Sequence, residues 1–300
     1  MSDEDFRGEL LAHCYRMTGS ADEAEDLVQE TLLRAWRADG TYDPAKASRR
    51  TWLHRIATNV CLTALQGRAR RPLPSGLGPN GDPQAPLTPS LDVPWLQPFP
   101  SDPAQAAQER AGLRLAFVAA LQLLPARQRA ALVLREVLQF SAAEVASALD
   151  SSVASVNSSL QRARAALAAA GPVLEELREP ADPRAREVVE RYLAAFEAAD
   201  VPGLTRLLAE DVALEMPPVA LWLAGRADYG AFLKRVFALR GPGWRMVPVE
   251  ANGGAGLAAY APGGSAHSLQ VFDVRGGLIR RAVTFVDPAV FTLFGLPGRR

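Results

Sequence analysis

Between Pro72 and Pro103 prolines recur every few residues among Gly, Ser and Asp, and such a stretch cannot sustain a helix. The chain must therefore be built from separate units on either side, with this segment running extended between them. From about Phe6 to Arg71 the apolar residues follow a helical period, and from about Ala104 to Ala170 an Ala/Leu/Arg-rich stretch does so again. Gly171-Pro172 closes that second unit, a short linker passes through Pro180 and Pro183, and from Arg184 helical and alternating patterns mix. The expected boundaries are 1–71, 72–103, 104–170, 171–183 and 184–300.

The stretch from Ser141 to Arg164 predicts a helix-turn-helix. Ser141 and Glu144 are spaced as a capping box, and Val145, Ala148 and Leu149 give the first helix an inward stripe. Asp150 stands where a tight turn needs a left-handed backbone. The second helix is expected to bury Val153, Val156, Leu160, Ala163 and Leu167. Its other face carries Ser155, Asn157, Ser158, Gln161, Arg162 and Arg164, donors and acceptors suited to base edges and phosphates. Two readings stand at this point: a base reader, or a plain helical hairpin with a solvated face.

Charge separates them further. Basic and acidic residues balance at 33 each, but they are segregated along the chain. From Lys46 to Arg71 there is no acid beside Lys46, Arg49, Arg50, Arg55, Arg68, Arg70 and Arg71, a local electrostatic footprint for nucleic acid. Cys14 and Cys61 lie in apolar helical contexts without metal-ligand spacing and are expected to be buried free thiols in a cytoplasmic protein. No metal or cofactor is expected, and no apolar run is long enough to span a bilayer.

Ser20 and Glu23 form a second capping box, opening a helix with inward Ala24, Leu27, Val28, Thr31, Leu32 and Ala35. Asp26, Gln29, Glu30 and Leu33 lie on another face. A further helix carries Trp52 and Asn59 and ends in Gln66-Gly-Arg-Ala-Arg-Arg71. Aromatic and Asn side chains interleaved with arginines suit opened strands, because unstacked bases need flat surfaces and phosphates need cations. Trp52 is expected in the core.

In the last segment Val188, Val189, Tyr192, Leu193 and Phe196 make an amphipathic helix, Leu204, Leu207 and Leu208 a short one, and Asp228 to Leu239 a third. Val212 to Met216 begins a sheet, and Trp244 to Glu250, Gly256 to Ala261, Ser268 to Val274 and Leu278 to Val286 alternate like antiparallel strands. The pattern predicts a cone-shaped α+β domain with an internal cavity. Glu215, Asp228 and His267 are the acids and imidazole that can be aimed inward, and no paired acid/base arrangement is evident, so catalysis is not expected.

Three motifs carry a resemblance: Asp22-Glu-Ala-Glu-Asp-Leu-Val-Gln-Glu-Thr-Leu-Leu-Arg-Ala-Trp36, then Arg50-Thr-Trp-Leu-His-Arg-Ile-Ala-Thr-Asn59, then Leu124-Pro-Ala-Arg-Gln-Arg with the helix-turn-helix. In this order they are similar to regions two and four of bacterial RNA polymerase sigma factors of the sigma-70 family, extracytoplasmic-function (ECF) type. Pro94-Trp-Leu-Gln-Pro-Phe-Pro100 and the tail with Phe294-Gly-Leu-Pro297 resemble the subgroup with a C-terminal SnoaL-like domain.

The resemblance implies a promoter-specificity subunit whose partners are the clamp of the RNA polymerase largest subunit and promoter DNA. Asp26, Gln29, Glu30 and Arg34 match the positions that dock on the clamp. Tyr42 and Asn59 match a pocket for a flipped minus-ten base, and Arg49, Arg50, Arg55, Arg68, Arg70 and Arg71 the strand phosphates. Ser155, Asn157, Ser158, Gln161, Arg162 and Arg164 match the minus-thirty-five reader.

The chain departs from the commoner pattern at Thr63 and Gln66, where Asp and Arg are frequent, and at Asn157 and Ser159, where Arg is. The acids of the linker, Asp82, Asp92 and Asp102, either mimic RNA phosphates or belong to a bland tether. Trp95, Leu96 and Phe99 need a partner surface and are expected to pack on the domain beginning near Arg184, which would modulate activity and whose cavity ligand is left unspecified. The alternatives are a ligand-responsive DNA-binding regulator, or a SnoaL-like enzyme fused to a DNA-binding unit.

Overall fold

The computed structural model describes residues 3–101, 112–169 and 182–300, so Asp102, Pro103, Gly171, Pro172 and Pro180 lie outside the described residues. The chain divides into two compact units, Met1–Arg71 with Gly112–Arg178, and Pro72–Ala111 with Glu179–Arg300.

The first unit is helical: α1 Arg7–Thr18, α2 Ala21–Arg37, α3 Arg49–Ala64, α4 Leu115–Leu121, α5 Ala126–Leu132, α6 Ala142–Ala148 and α7 Val153–Ala169. Gly19 ends α1 at φ 73°, a left-handed position that favours glycine, and Ser20 then caps α2 by accepting the Glu23 N–H at 3.2 Å. Ser48 caps α3 in the same way through the Thr51 N–H at 3.1 Å. At α6 both legs of the capping box form: Ser141 Oγ accepts the Glu144 N–H at 3.2 Å, and Glu144 Oε2 accepts the Ser141 N–H at 2.8 Å. Asp150 takes φ 44° in the turn to α7.

Val156, Leu160, Ala163 and Leu167 of α7 are buried, but Val153, expected inward, is 43% exposed because it opens the helix ahead of the packed stripe. Leu27 and Leu32 are only half-buried. Cys14 and Cys61 are buried free thiols.

Two buried guanidiniums tie the helices together. Arg16 Nε donates to the Gly112 carbonyl at 2.9 Å. Arg129 donates to Gln122 Oε1 at 2.8 Å, to the Leu124 carbonyl at 3.1 Å and to the Met17 carbonyl. Burial pulls the Arg129 pKa down to about 10, a sign of how little water remains around it.

The second unit has α8 Ala185–Glu197, α9 Val201–Arg206, β1 Leu208–Glu215, β2 Trp222–Ala224, α10 Arg226–Arg240, β3 Arg245–Ala251, β4 Gly254–Tyr260, β5 Ala266–Arg275, β6 Leu278–Phe285 and α11 Ala289–Leu293. The six-stranded sheet runs in the order β2-β1-β6-β5-β4-β3. It is not purely antiparallel as the alternation suggests, because β1 pairs in parallel with β6. Parallel neighbours need a long crossover, and here α10 and the whole β3–β5 meander supply it. The short helix also ends sooner than expected, since Leu208 already starts β1.

The proline-rich segment is a strap on this unit. The Ser75 N–H donates to Glu215 Oε2 at 2.9 Å, Trp222 Nε1 to the Gly78 carbonyl at 2.8 Å, and the Gly81 N–H to the Trp222 carbonyl at 2.9 Å. Arg235 holds the Pro83 and Ala85 carbonyls at 2.8 and 2.7 Å, and the Ser90 N–H donates to the Pro218 carbonyl at 2.8 Å. The strap closes on itself where the Leu96 N–H meets the Pro72 carbonyl at 3.1 Å. Asn252 and Gly253, at φ 51° and 74°, form the two-residue β3–β4 hairpin turn. Asn252 exchanges bonds with Phe99, Oδ1 accepting its N–H at 3.0 Å and the Asn252 N–H reaching its carbonyl at 2.8 Å.

Candidate nucleic-acid interface and C-terminal cavity

On α2, Asp26, Gln29 and Arg34 are exposed and Glu30 is half-buried, with Arg34 Nε donating to Glu30 Oε1 at 2.6 Å. Leu33 and Trp36 are exposed beside them, the latter 75% exposed. An exposed indole among acids is the composition of an interface anchor with a polar rim. Trp36 closes the α2 motif in the sequence and was legible there as the next residue of the Asp26, Gln29, Leu33 face.

On α3 and the loop before it, Tyr42 and Trp52 lie 5.3 Å apart, and the Arg49 guanidinium sits 4.8 and 4.4 Å from their ring centroids. Trp52 is therefore half-buried in a cation–aromatic stack and not a core residue, because its neighbours are a loop tyrosine and an arginine at the helix start. Asn59, also half-buried, follows seven residues on, two turns along the same face and about 10 Å away.

Most of the cations here are held by acids of the same unit. Arg49 donates to Asp3 at 2.7 Å and pairs with Asp39 at 2.7 Å. Arg50 binds Glu9, donates to the Leu138 carbonyl at 3.2 Å and lies 4.7 Å from the Phe140 centroid. Arg55 pairs with Asp150, the turn residue of the helix-turn-helix, at 3.0 Å. Arg68 and Arg71 share Glu23 at 2.5 and 2.8 Å. Arg70 is exposed and makes no ion pair among the described residues. Thr51 Oγ1 donates to Glu144 Oε1 at 2.9 Å, so the capping-box carboxylate also joins α6 to α3. Hydrogen bonds from Ser141 hold that carboxyl below its usual range.

Beneath these groups His54 Nδ1 lies 2.9 Å from the Arg50 carbonyl, and its ring packs 5.4 Å from His13 and 5.3 Å from Phe140. Burial lowers the His54 pKa to about 4 and pushes His13 the same way, so both imidazoles are neutral at pH 7.

On α7, Ser155, Asn157, Ser158, Gln161, Arg162 and Arg164 are all exposed on one face. Arg164 pairs with Glu136, while Arg162 reaches only Ser159 Oγ among the described residues, at 3.3 Å.

In the second unit, Leu96 is fully buried and Phe99 nearly so, and the half-buried Trp95 donates through Nε1 to the Ser90 carbonyl at 2.8 Å. A cavity of about 260 Å³ lies among α8, α10 and the sheet. Phe196, Leu214, Met216, Phe232, Trp244 and Val286 make its wall largely apolar. His267 lines it, its pKa lowered to about 4 by burial. The other two expected inward groups do not line it. Glu215 is buried on the opposite side of β1 from Leu214 and Met216, where it takes the Ser75 N–H, because strand residues alternate between faces; Asp228 is half-exposed at the start of α10.

The comparisons with known proteins fit this architecture. Residues 4–71 match Sigma-70 region 2, residues 114–167 match Sigma-70, region 4, and residues 189–282 match the SnoaL-like domain. The helical first unit thus carries two sigma regions, and the second an α+β SnoaL-like domain. The chain is 47% identical over 306 residues to the ECF RNA polymerase sigma factor SigG of Mycobacterium tuberculosis strain H37Rv, with 98% of this chain and 82% of that protein covered. It is 30% identical over 312 residues to SigJ of the same strain, covering 99% and 94%. The crystal structure of M. tuberculosis SigJ matches with a TM-score of 0.67 at 25% identity, over 99% of this chain and 100% of that one. The chain belongs to the ECF RNA polymerase sigma factors.

Proposed function

We propose that the protein directs bacterial RNA polymerase to specific promoters, docking on core polymerase through α2, engaging opened minus-ten DNA through α3 and reading the minus-thirty-five element through α7. The observation that carries this reading is the exposed acidic and aromatic face of α2, with Asp26, Gln29, Leu33 and Trp36 outward. A repressor has no need of such a face, and an apolar side chain of that size in water marks a protein partner.

Upstream and downstream elements some 25 base pairs apart span roughly 85 Å at 3.4 Å per pair. Arg55 and Asp150 are 3.0 Å apart, so α3 and the helix-turn-helix must separate before both elements are held. The C-terminal unit is read as a regulatory module and not an enzyme: no carboxylate lines its cavity among the described residues, and its imidazole is neutral. The protein works in the cytoplasm, where its polymerase is.

Transcription in vitro with purified core tests the reading. Promoter-dependent initiation is expected, and its absence overturns the proposal. Asp26→Arg combined with Glu30→Arg should abolish co-purification with core while leaving the fold intact, since Asp26 is exposed and the Glu30 side chain is 40% exposed beside exposed Arg34, and such helix positions tolerate substitution within about 0.5 kcal/mol.

A further inference from the structure

The cavity of the C-terminal unit holds two unspent hydrogen-bonding groups. Gln270 is 4% exposed, lines the cavity, and its Oε1 has no hydrogen-bond partner among the described residues. A buried acceptor left dry is costly, so this position is completed by a donor from something inside the cavity. Tyr192 and Tyr229 also line it, both buried, with their hydroxyls 3.0 Å apart. Two hydroxyls carry two protons and only one lies between them, which leaves one O–H free to donate. Burial raises the pKa of both phenols, so neither supplies a charge at neutral pH. Among the described residues the single cation in the lining is Arg240, exposed at the end of α10 beside Leu239.

The strap forms part of the same wall. Leu87 and Pro89 line the cavity, Pro89 bridges Val219, and the Ser90 N–H bonds the Pro218 carbonyl at 2.8 Å. An occupant touches the strap and the sheet together and adds its contacts to strap docking, so the bound and strapped states favour each other.

We infer that the cavity is a sensor site for a neutral, hydroxylated, otherwise apolar ligand of one or two fused rings, whose hydroxyl completes Gln270 and the tyrosine pair, and that its occupancy is read out through the Leu87–Pro89 part of the strap. An apolar cavity of roughly 150 Å³ takes up benzene, so the larger volume here suits a bicyclic molecule. The inference rests on the regulatory reading of the C-terminal unit and is independent of core docking.

The probe is 2-naphthol, titrated calorimetrically into the full-length protein beside naphthalene and naphthalene-2-sulfonate. The expected result is 2-naphthol binding at least about tenfold tighter than naphthalene, as a buried hydrogen bond to an otherwise unpaired group requires, with the sulfonate not binding. Gln270→Leu should bring that ratio within about twofold while still binding naphthalene, since the acceptor is gone and the apolar wall remains. Tyr229→Phe, which keeps the ring and thus the packing, is measured alongside in case the Leu variant fails to fold, and should also lower the ratio. At saturation with 2-naphthol, hydrogen exchange of the peptides spanning residues 83–90 should slow.

Equal binding of 2-naphthol and naphthalene to the native protein, or no binding of either, overturns the ligand class. Unchanged strap exchange at saturation overturns the readout. Core-dependent transcription on the same preparation keeps the two proposals apart, because a protein that initiates but ignores 2-naphthol loses only this inference.

Discussion

The two surfaces of the helical unit proposed to meet DNA treat their charges differently. On α3 and its flanks, Arg49, Arg50, Arg55, Arg68 and Arg71 are each held by an acid of the same unit. On α7 the outward face is mostly neutral donors and acceptors, with Arg162 left to a serine. On the proposed function, phosphate binding at α3 exchanges one ion pair for another, whereas α7 offers DNA polar groups already in water, Arg164 with its Glu136 pair excepted. On that proposal the stored pairs on α3 set how the unit is held before DNA arrives, while α7 sets which bases it prefers.

Acid should break the comparison most strongly, by loosening α3 and sparing α7. His54 is neutral in the fold with a pKa of about 4, against an ordinary 6.5 in the unfolded chain. Its folded pKa is depressed, so the unfolded state binds more protons between these values: stability is full above pH 6.5 and falls as the pH drops toward 4. The loss should reach roughly 3 kcal/mol at the acid end. Denaturant melts from pH 7 to 4 check this, and His54→Gln should flatten the dependence.

Next in size is Arg50→Ala. It removes charge-assisted bonds to Glu9 and the Leu138 carbonyl and the contact over Phe140, so unfolding free energy should fall by roughly 1.5–3 kcal/mol. Arg162→Ala should leave stability within about 0.5 kcal/mol and instead weaken promoter binding on all sequences, lowering the salt slope by about one. Equal stability losses in the two variants would erase the distinction between held and free cations.

Asn157→Ala and Gln161→Ala test the other side. Each should cost roughly 1–3 kcal/mol of discrimination at particular minus-thirty-five bases if bidentate, with little change in salt dependence. Binding assays on single-base promoter variants decide it. Uniform weakening on every variant would assign α7 to phosphates like its neighbour.

Local signals and long-range ones were unequally readable in this sequence. The Ser141–Glu144 box, the left-handed Asp150 and the α7 stripe follow from spacing within one or two turns, and the structure forms them. The acids that hold the α3 arginines lie from 10 residues away, for Asp39 and Arg49, to 95, for Arg55 and Asp150, and no periodicity encodes such pairs. An acid-free run of arginines therefore looked unpaired until the fold brought acids to it.

The same limit hid the cavity's polar groups. Tyr192 and Tyr229 sit in apolar stripes at helical spacing, and only packing brings their hydroxyls together. The parallel pairing of β1 with β6 is likewise invisible to alternation, which reports a strand's two faces but not its neighbours. The Asn252-Gly253 turn is a different case, a local Asn-Gly signal that the reading of alternating runs passed over and the structure forms between β3 and β4. It matters because Asn252 is what Phe99 of the strap binds.

The smallest expected effect sharpens the comparison most finely. Asp150 holds Arg55 through a pair whose side chains are 71% and 46% exposed, so the bond itself adds little, within about 0.5 kcal/mol for so exposed a pair. Asp150→Asn keeps a residue that tolerates φ 44° and removes only the charge. Melting should scarcely move. Arg55, however, becomes a free cation, and the helix-turn-helix loses one of its links to α3, while the bond of Thr51 to Glu144 remains. Binding of the holoenzyme to promoter DNA should therefore tighten slightly and become more salt-dependent, by a slope of up to about one, as an additional phosphate contact no longer has to displace an internal acid. Should the salt slope stay unchanged, Arg55 is a structural cation in both states, and the held arginines of α3 must be divided into those that DNA recruits and those that only fasten the helical unit together.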